Sequence, residues 1–176
     1  MHICYERKQA EILKDNIAKH KMRKETKYII IHCSATRPSQ DIGFEEINRW
    51  HKFKGWLSCG YHRIIRRKNG VIQQGRPDEE VGAHCRGKNH NSISVVMVGG
   101  VKEDDIKEWE DNFTPDQWTA LKEVITQLHN KYPEAEICGH YKFSDTKKCP
   151  SFDVEEWKKI ELDWIEGDLL PNDERE

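Results

Sequence analysis

The sequence predicts a single α/β domain, a mixed β-sheet flanked by helices. Three observations carry that expectation. Two short runs rich in β-branched residues, Tyr28 to His32 and Ile93 to Val98, lack polar alternation and so fit strands buried on both faces of a sheet. An Asn-Gly pair at 69–70, between Gly60–Arg66 and Val71–Gln74, marks an antiparallel hairpin. Two apolar-periodic segments open on helix-capping residues, Thr114 and Asp153. The resulting order β, α, β, β, β, α, β, α has no internal repeat and suits one domain, which 176 residues can supply.

The elements follow in order. The first strand is ended by Ser34, Thr36 and Pro38. Phe44, Ile47 and Trp50 then recur every third residue behind Asp41, predicting a helix to about Lys54 that Gly55 closes. In the hairpin, Asn69 and Gly70 tolerate the positive φ of a type I′ turn, which places Tyr61 on a hairpin strand. Gly99-Gly100 stops the strand at Ile93–Val98. Thr114-Pro115-Asp116-Gln117 is a capping box with proline in the first turn, and Trp118, Leu121, Ile125, Leu128 and Tyr132 form one apolar face behind it. Glu136 to His140 reads as a last short strand. Asp153 with Glu156 repeats the capping pattern before Val154, Trp157, Ile160, Trp164 and Ile165. Trp50, Trp118 and Trp157 lie on apolar helical faces and are expected in the core, with His51, His90 and His129 on the polar surface.

Composition narrows the function classes. With 29 basic against 31 acidic residues the net charge is −2, which offers no global basic field for nucleic acid. No run approaches the 18 or so apolar residues of a membrane helix, and no secretory signal follows the charged N-terminus. Cytoplasmic synthesis is the expectation. Six spread cysteines in such a chain suit reduced thiols better than a disulfide framework. The first 26 residues read as a helical or mobile extension, with a thin stripe at Ala10, Leu13 and Ile17; 27–166 read as the domain and 167–176 as a polar tail.

Chemistry concentrates at strand ends. His32 ends the first strand, His140 the last, and Cys149 precedes the helix behind Asp153. Two imidazoles and a thiolate suit Zn²⁺, and three protein ligands leave the fourth tetrahedral position open, a catalytic count. The helix N-terminus, with Lys147 and Lys148, would favour a thiolate at Cys149. Spacing alone does not select these three from nine histidines and six cysteines. Side-chain alternation puts Cys138 on the face of His140, making it a rival fourth ligand that would close a structural site. Asn89 and Asn91 suit peptide or sugar amides, or turns.

The surrounding strings add specificity. Ile31-His32-Cys33-Ser34-Ala35-Thr36, Gly60-Tyr61-His62, Val81-Gly82-Ala83-His84, Asn89-His90-Asn91-Ser92-Ile93, and Gly139-His140 with Lys147-Lys148-Cys149-Pro150-Ser151-Phe152-Asp153 occur in one order. Together, over residues 27 to 165, they resemble the zinc-dependent N-acetylmuramoyl-L-alanine amidases, above all bacteriophage amidase-type lysozymes, with peptidoglycan-recognition proteins as distant kin. The resemblance implies that fold, one Zn²⁺, and hydrolysis of the amide between N-acetylmuramic acid and L-alanine in peptidoglycan, for phage or prophage lysis of the host. It puts the metal ligands on His32, His140 and Cys149, a catalytic tyrosine on Tyr61 and a catalytic lysine on Lys147. It places His84 beside the substrate groove; Asn89 and Asn91, by their amide chemistry, are the other substrate-binding candidates. The expected partner is the bacterial cell wall, met by a monomer without nucleic acid or membrane. Two other readings keep the fold without turnover: a peptidoglycan-binding module and an intracellular protein-binding regulator.

Overall fold

The computed structural model describes residues 21–144, 146 and 148–162. The N-terminal stripe at Ala10, Leu13 and Ile17, the candidate lysine Lys147, and Trp164 and Ile165 lie outside the described residues.

Five strands form one sheet: β1 (Tyr28–Cys33), β2 (Arg63–Ile65), β3 (Ile72–Gln74), β4 (Ser92–Met97) and β5 (Glu136–Gly139). Their order is β3-β2-β4-β1-β5. β1 runs parallel to β4 and β5, β2 runs parallel to β4, and β3 is the antiparallel edge. The mixed α/β sheet expected from the sequence is therefore present. The helices are α1 (Phe44–Phe53), α2 (Pro115–Lys131) and α3 (Val154–Glu161).

Both faces of the central strands are covered, which explains the unbroken apolar runs. On one face Ile29, Ile31, Val95 and Met97 pack against Leu121, Val124, Ile125 and Leu128 of α2. On the other, Ile64, Val96 and Val98 meet Ile42, Ile47 and Cys59. Ile29, Ile30 and Ile31 are fully buried, and each contributes about 1.5–3 kcal/mol on the area scale. Because alternate residues face opposite ways, His32 shares the face of Ile30, which packs with Cys138 and with Cys85 from the 82–91 loop.

The capping box of α2 forms as expected. Thr114 Oγ1 accepts from the Gln117 amide and Gln117 Oε1 accepts from the Thr114 amide. The same Gln117 side chain, wholly buried, donates from Nε2 to the carbonyls of Val98 and Ile65, tying the helix start to the sheet.

Three local expectations are corrected. The Asn-Gly connection is not a two-residue type I′ turn: Arg66 N–H bonds to Val71 O, and Lys68–Gly70 form a 3-10 turn between them. Asn69 and Gly70 do adopt positive φ (57° each), but Gly70 is needed because a Cβ there would meet Asp116 O of α2 at 2.3 Å. Tyr61 precedes β2 rather than lying on it, since regular pairing begins only at Arg63↔Gln74. Trp50 is 38% exposed, whereas His51 is buried. The buried face of α1 runs through Ile47 and His51, four residues apart, so a one-residue rotation of the expected stripe exchanges the two.

Residues 21–26 pass along 79–81, with Met22 bridged to Glu80. The Arg23 guanidinium anchors them, donating to Glu80 O, Ser92 O and Tyr132 Oη.

Candidate active site

The site stands at the C-terminal ends of the parallel strands, where open α/β sheets leave a crevice. β1 and β5 pair with Ile31 opposite Gly139, and each histidine takes the next position: His32 lies inside β1, one residue before its end, and His140 opens a 3-10 turn just beyond β5 rather than ending the strand as expected. Their rings lie 4.5 Å apart, centroid to centroid. Cys149 returns from the following loop, and its carbonyl accepts from the Tyr141 amide at 2.9 Å, fixing its backbone beside that of His140.

One donor atom from each of His32, His140 and Cys149 lies within 4.8 Å of the others, and all three residues are buried. Cys149 Sγ stands 3.8 Å from His32 Nδ1. A tetrahedral zinc ion with ordinary Zn–N and Zn–S bonds would hold such a pair roughly 3.6 Å apart. The donor set thus fits a borderline metal ion. The Cys33 amide donates to Cys149 Sγ at 3.2 Å, a contact that favours the thiolate a metal requires. Cys138 is outside this cluster, buried with Ile30 and Cys85, and burial pushes its thiol up to about 12.

A cavity of about 300 Å³ opens over the cluster. Tyr61 lines it, its ring 5.2 Å from that of His32. Loss of solvent around the phenol, reinforced by the neighbouring Cys149 and Cys33, raises its pKa, so the hydroxyl remains a proton donor. His84 lines the same wall and extends it into a second cleft of about 430 Å³ that reaches Arg86 and Asn89. Lys54 also borders the site cavity.

The remaining candidates have local duties. Asn89 Oδ1 accepts from the amides of both His84 and Cys85 at 2.8 Å, holding the loop that carries His84. Asn91 is buried, and its Oδ1 has no hydrogen-bond partner among the described residues.

His51, expected on the surface, is a residue that sequence reasoning missed. Its Nδ1 accepts from the Gly60 amide at 2.8 Å, and its ring packs 4.5 Å from Trp56 and 5.4 Å from Tyr61. Burial, with the Lys54 and Arg76 cations, pushes it down to about 4, so it supports Tyr61 as a neutral ring at pH 7. The i+4 spacing from Ile47 was the available signal.

Comparison with known proteins decides the family. Residues 22–152 match the model of the N-acetylmuramoyl-L-alanine amidase family. The chain belongs to that family. The amidase is 43% identical to the endolysin of Escherichia phage T7 over 153 residues, spanning 87% of this chain and 95% of that protein. It also resembles the N-acetylmuramoyl-L-alanine amidase LysCS of Clostridium intestinale, with a TM-score of 0.68 and 29% identity over 80% of this chain and 86% of that one. Drosophila PGRP-LB shares the fold, with a TM-score of 0.62 at 22% identity over 81% and 84% of the two chains. The ordered motifs and these relatives agree on the activity: the amidase is a peptidoglycan-cleaving enzyme of the lytic, endolysin type. Among the described residues no helix is long and apolar enough to cross a membrane.

Proposed function

We propose that the amidase uses one Zn²⁺, held by His32, His140 and Cys149, to hydrolyse the amide joining the lactyl group of N-acetylmuramic acid to L-alanine. The observation that carries this reading is the convergence of three buried soft or borderline donors within 4.8 Å beneath an open cleft. Bound there, zinc would supply Lewis acidity, activating water near neutral pH and polarising a carbonyl.

The chain's own groups do the rest. Tyr61 presents a protonated hydroxyl on the cavity wall, suited to donate a hydrogen bond to the scissile carbonyl oxygen as charge develops on it. Lys147, assigned by resemblance, supplies a cation to the same oxyanion. Asn89 shapes the wall of the adjoining cleft, where the stem peptide or sugar amides would lie; Asn91 is buried. Released at host lysis, the amidase would act on the cell wall.

Digestion of purified peptidoglycan tests the bond cleaved. New L-alanine amino termini without new reducing sugar ends are expected; new reducing ends would indicate a glycosidase instead.

A further inference from the structure

A hydrogen-bonded file leads away from the metal cluster. His32 turns Nδ1 toward Cys149 and Nε2 toward His84, whose Nδ1 lies 3.0 Å away. His84 Nε2 reaches Ser92 Oγ at 3.3 Å, and Ser92 Oγ donates to Lys88 O at 2.7 Å. Ligation through His32 Nδ1 would set the protons along this file one by one. If Nδ1 of His32 is the ligating atom, a neutral ring carries its proton on Nε2 and donates to His84 Nδ1. His84 then bears its own proton on Nε2 and donates to Ser92, whose hydroxyl proton goes to the Lys88 carbonyl. Every donor meets one acceptor.

The surroundings hold His84 in this pose. Its backbone and that of Cys85 are pinned by Asn89 Oδ1. Gly82 makes room for its ring: a Cβ there would sit 2.4 Å from His84 Cδ2 and 2.8 Å from His62 Cε1. The His32 and His84 rings stand at 89°, so the contact is directional rather than a stack.

We propose that His84 is a positioning residue for the metal ligand His32, fixing its tautomer and orientation through the Nε2–Nδ1 hydrogen bond, with Ser92 and the Lys88 carbonyl fixing His84 in turn. This rests on the zinc reading above and replaces a direct substrate contact as the main duty of His84. Outer partners of metal-bound histidines raise ligand basicity and restrict ring rotation, and losing one weakens metal binding about 10- to 100-fold.

The test is the zinc dissociation constant of the full chain, measured by competition with a chromophoric chelator, for the parent and for His84→Ala, His84→Asn and Ser92→Ala. Thermal unfolding of each zinc-free protein separates misfolding from loss of metal. His84→Ala should bind zinc about 10- to 100-fold more weakly. His84→Asn, whose side-chain oxygen can accept where Nδ1 did, should remain within a few-fold of the parent, and Ser92→Ala should show a smaller loss of the same sign. At saturating zinc, His84→Ala should change KM far less than it changes the zinc dissociation constant. Unchanged zinc affinity with a raised KM would overturn the positioning role in favour of substrate contact. An Asn variant as weak as the Ala variant would also overturn it. A parent that binds no zinc would instead overturn the underlying metal site.

Discussion

His32 and His140 stand side by side because β1 and β5 pair in parallel with Ile31 opposite Gly139, which leaves the two imidazoles 4.5 Å apart at the C-terminal ends of these strands. Neither ring depends on a flexible loop for its position. Cys149 does come from a loop, yet its sulfur is held by the Cys33 amide and its carbonyl by the Tyr141 amide. The cluster is therefore preorganised, which lowers the cost of closing it around an ion.

Cys149→Ser tests the sulfur. A hydroxyl is a poorer donor for a borderline metal than a thiolate, so zinc affinity should fall by at least about 100-fold with the fold retained. Chelator competition reads the affinity, and circular dichroism checks the fold. Parent-like zinc binding would remove Cys149 from the ligand set.

Tyr61→Phe and Lys147→Ala address the groups beside the metal. Each should keep zinc and lose about 10²- to 10³-fold in kcat on peptidoglycan, the usual loss for one oxyanion donor. Zinc content and turnover are measured on the same preparation. Full activity in either variant would remove that residue from catalysis.

How much of this was legible beforehand depended on distance along the chain. β1, β4 and α2 could be read because burial on both faces leaves β-branched runs, and because Thr114 and Gln117 form a self-contained local signal. A short amphipathic helix admits two stripes one residue apart, and only the contacts of His51 with Gly60, Trp56 and Tyr61 select between Trp50 and His51. The Asn-Gly connection was recognised as a reversal, but its length depends on α2 pressing against Gly70, a long-range contact. The metal ligands were legible only through the ordered motifs. No local pattern tells that β1 and β5, far apart in sequence, are neighbours in the sheet. The link from His84 to His32 was hidden for the same reason.

Gln117→Ala tests how α2 is joined to the sheet. It removes the side-chain half of the capping box with Thr114 and the Gln117 donor to the buried Val98 carbonyl, while the Ile65 carbonyl keeps the Val98 amide. The expected loss is about 2–3 kcal/mol in urea unfolding. A loss below about 0.5 kcal/mol would show that water or a shifted backbone replaces these bonds.

Acid should weaken the fold through His62. Its Nδ1 accepts from the Ser94 amide and its Nε2 meets Glu80 O, while burial pushes the imidazole down to about 4. Above the ordinary value near 6.5 both folded and unfolded forms are neutral and the stability is intact. As pH falls from about 6.5 toward 4, the unfolded chain takes up a proton that the folded chain refuses, so stability declines. Between pH 7 and pH 5 the parent should lose about 2 kcal/mol more than His62→Gln, both measured by urea unfolding with excess chelator. Parallel losses would show that His62 does not titrate in this window.

Whether a zinc ion at His32, His140 and Cys149 drives the reaction is read by metal analysis of the purified chain combined with amide cleavage before and after chelation. About one zinc per chain is expected, with cleavage lost when it is removed and recovered when zinc is returned. Undiminished release of L-alanine amino termini by metal-free protein would contradict this expectation.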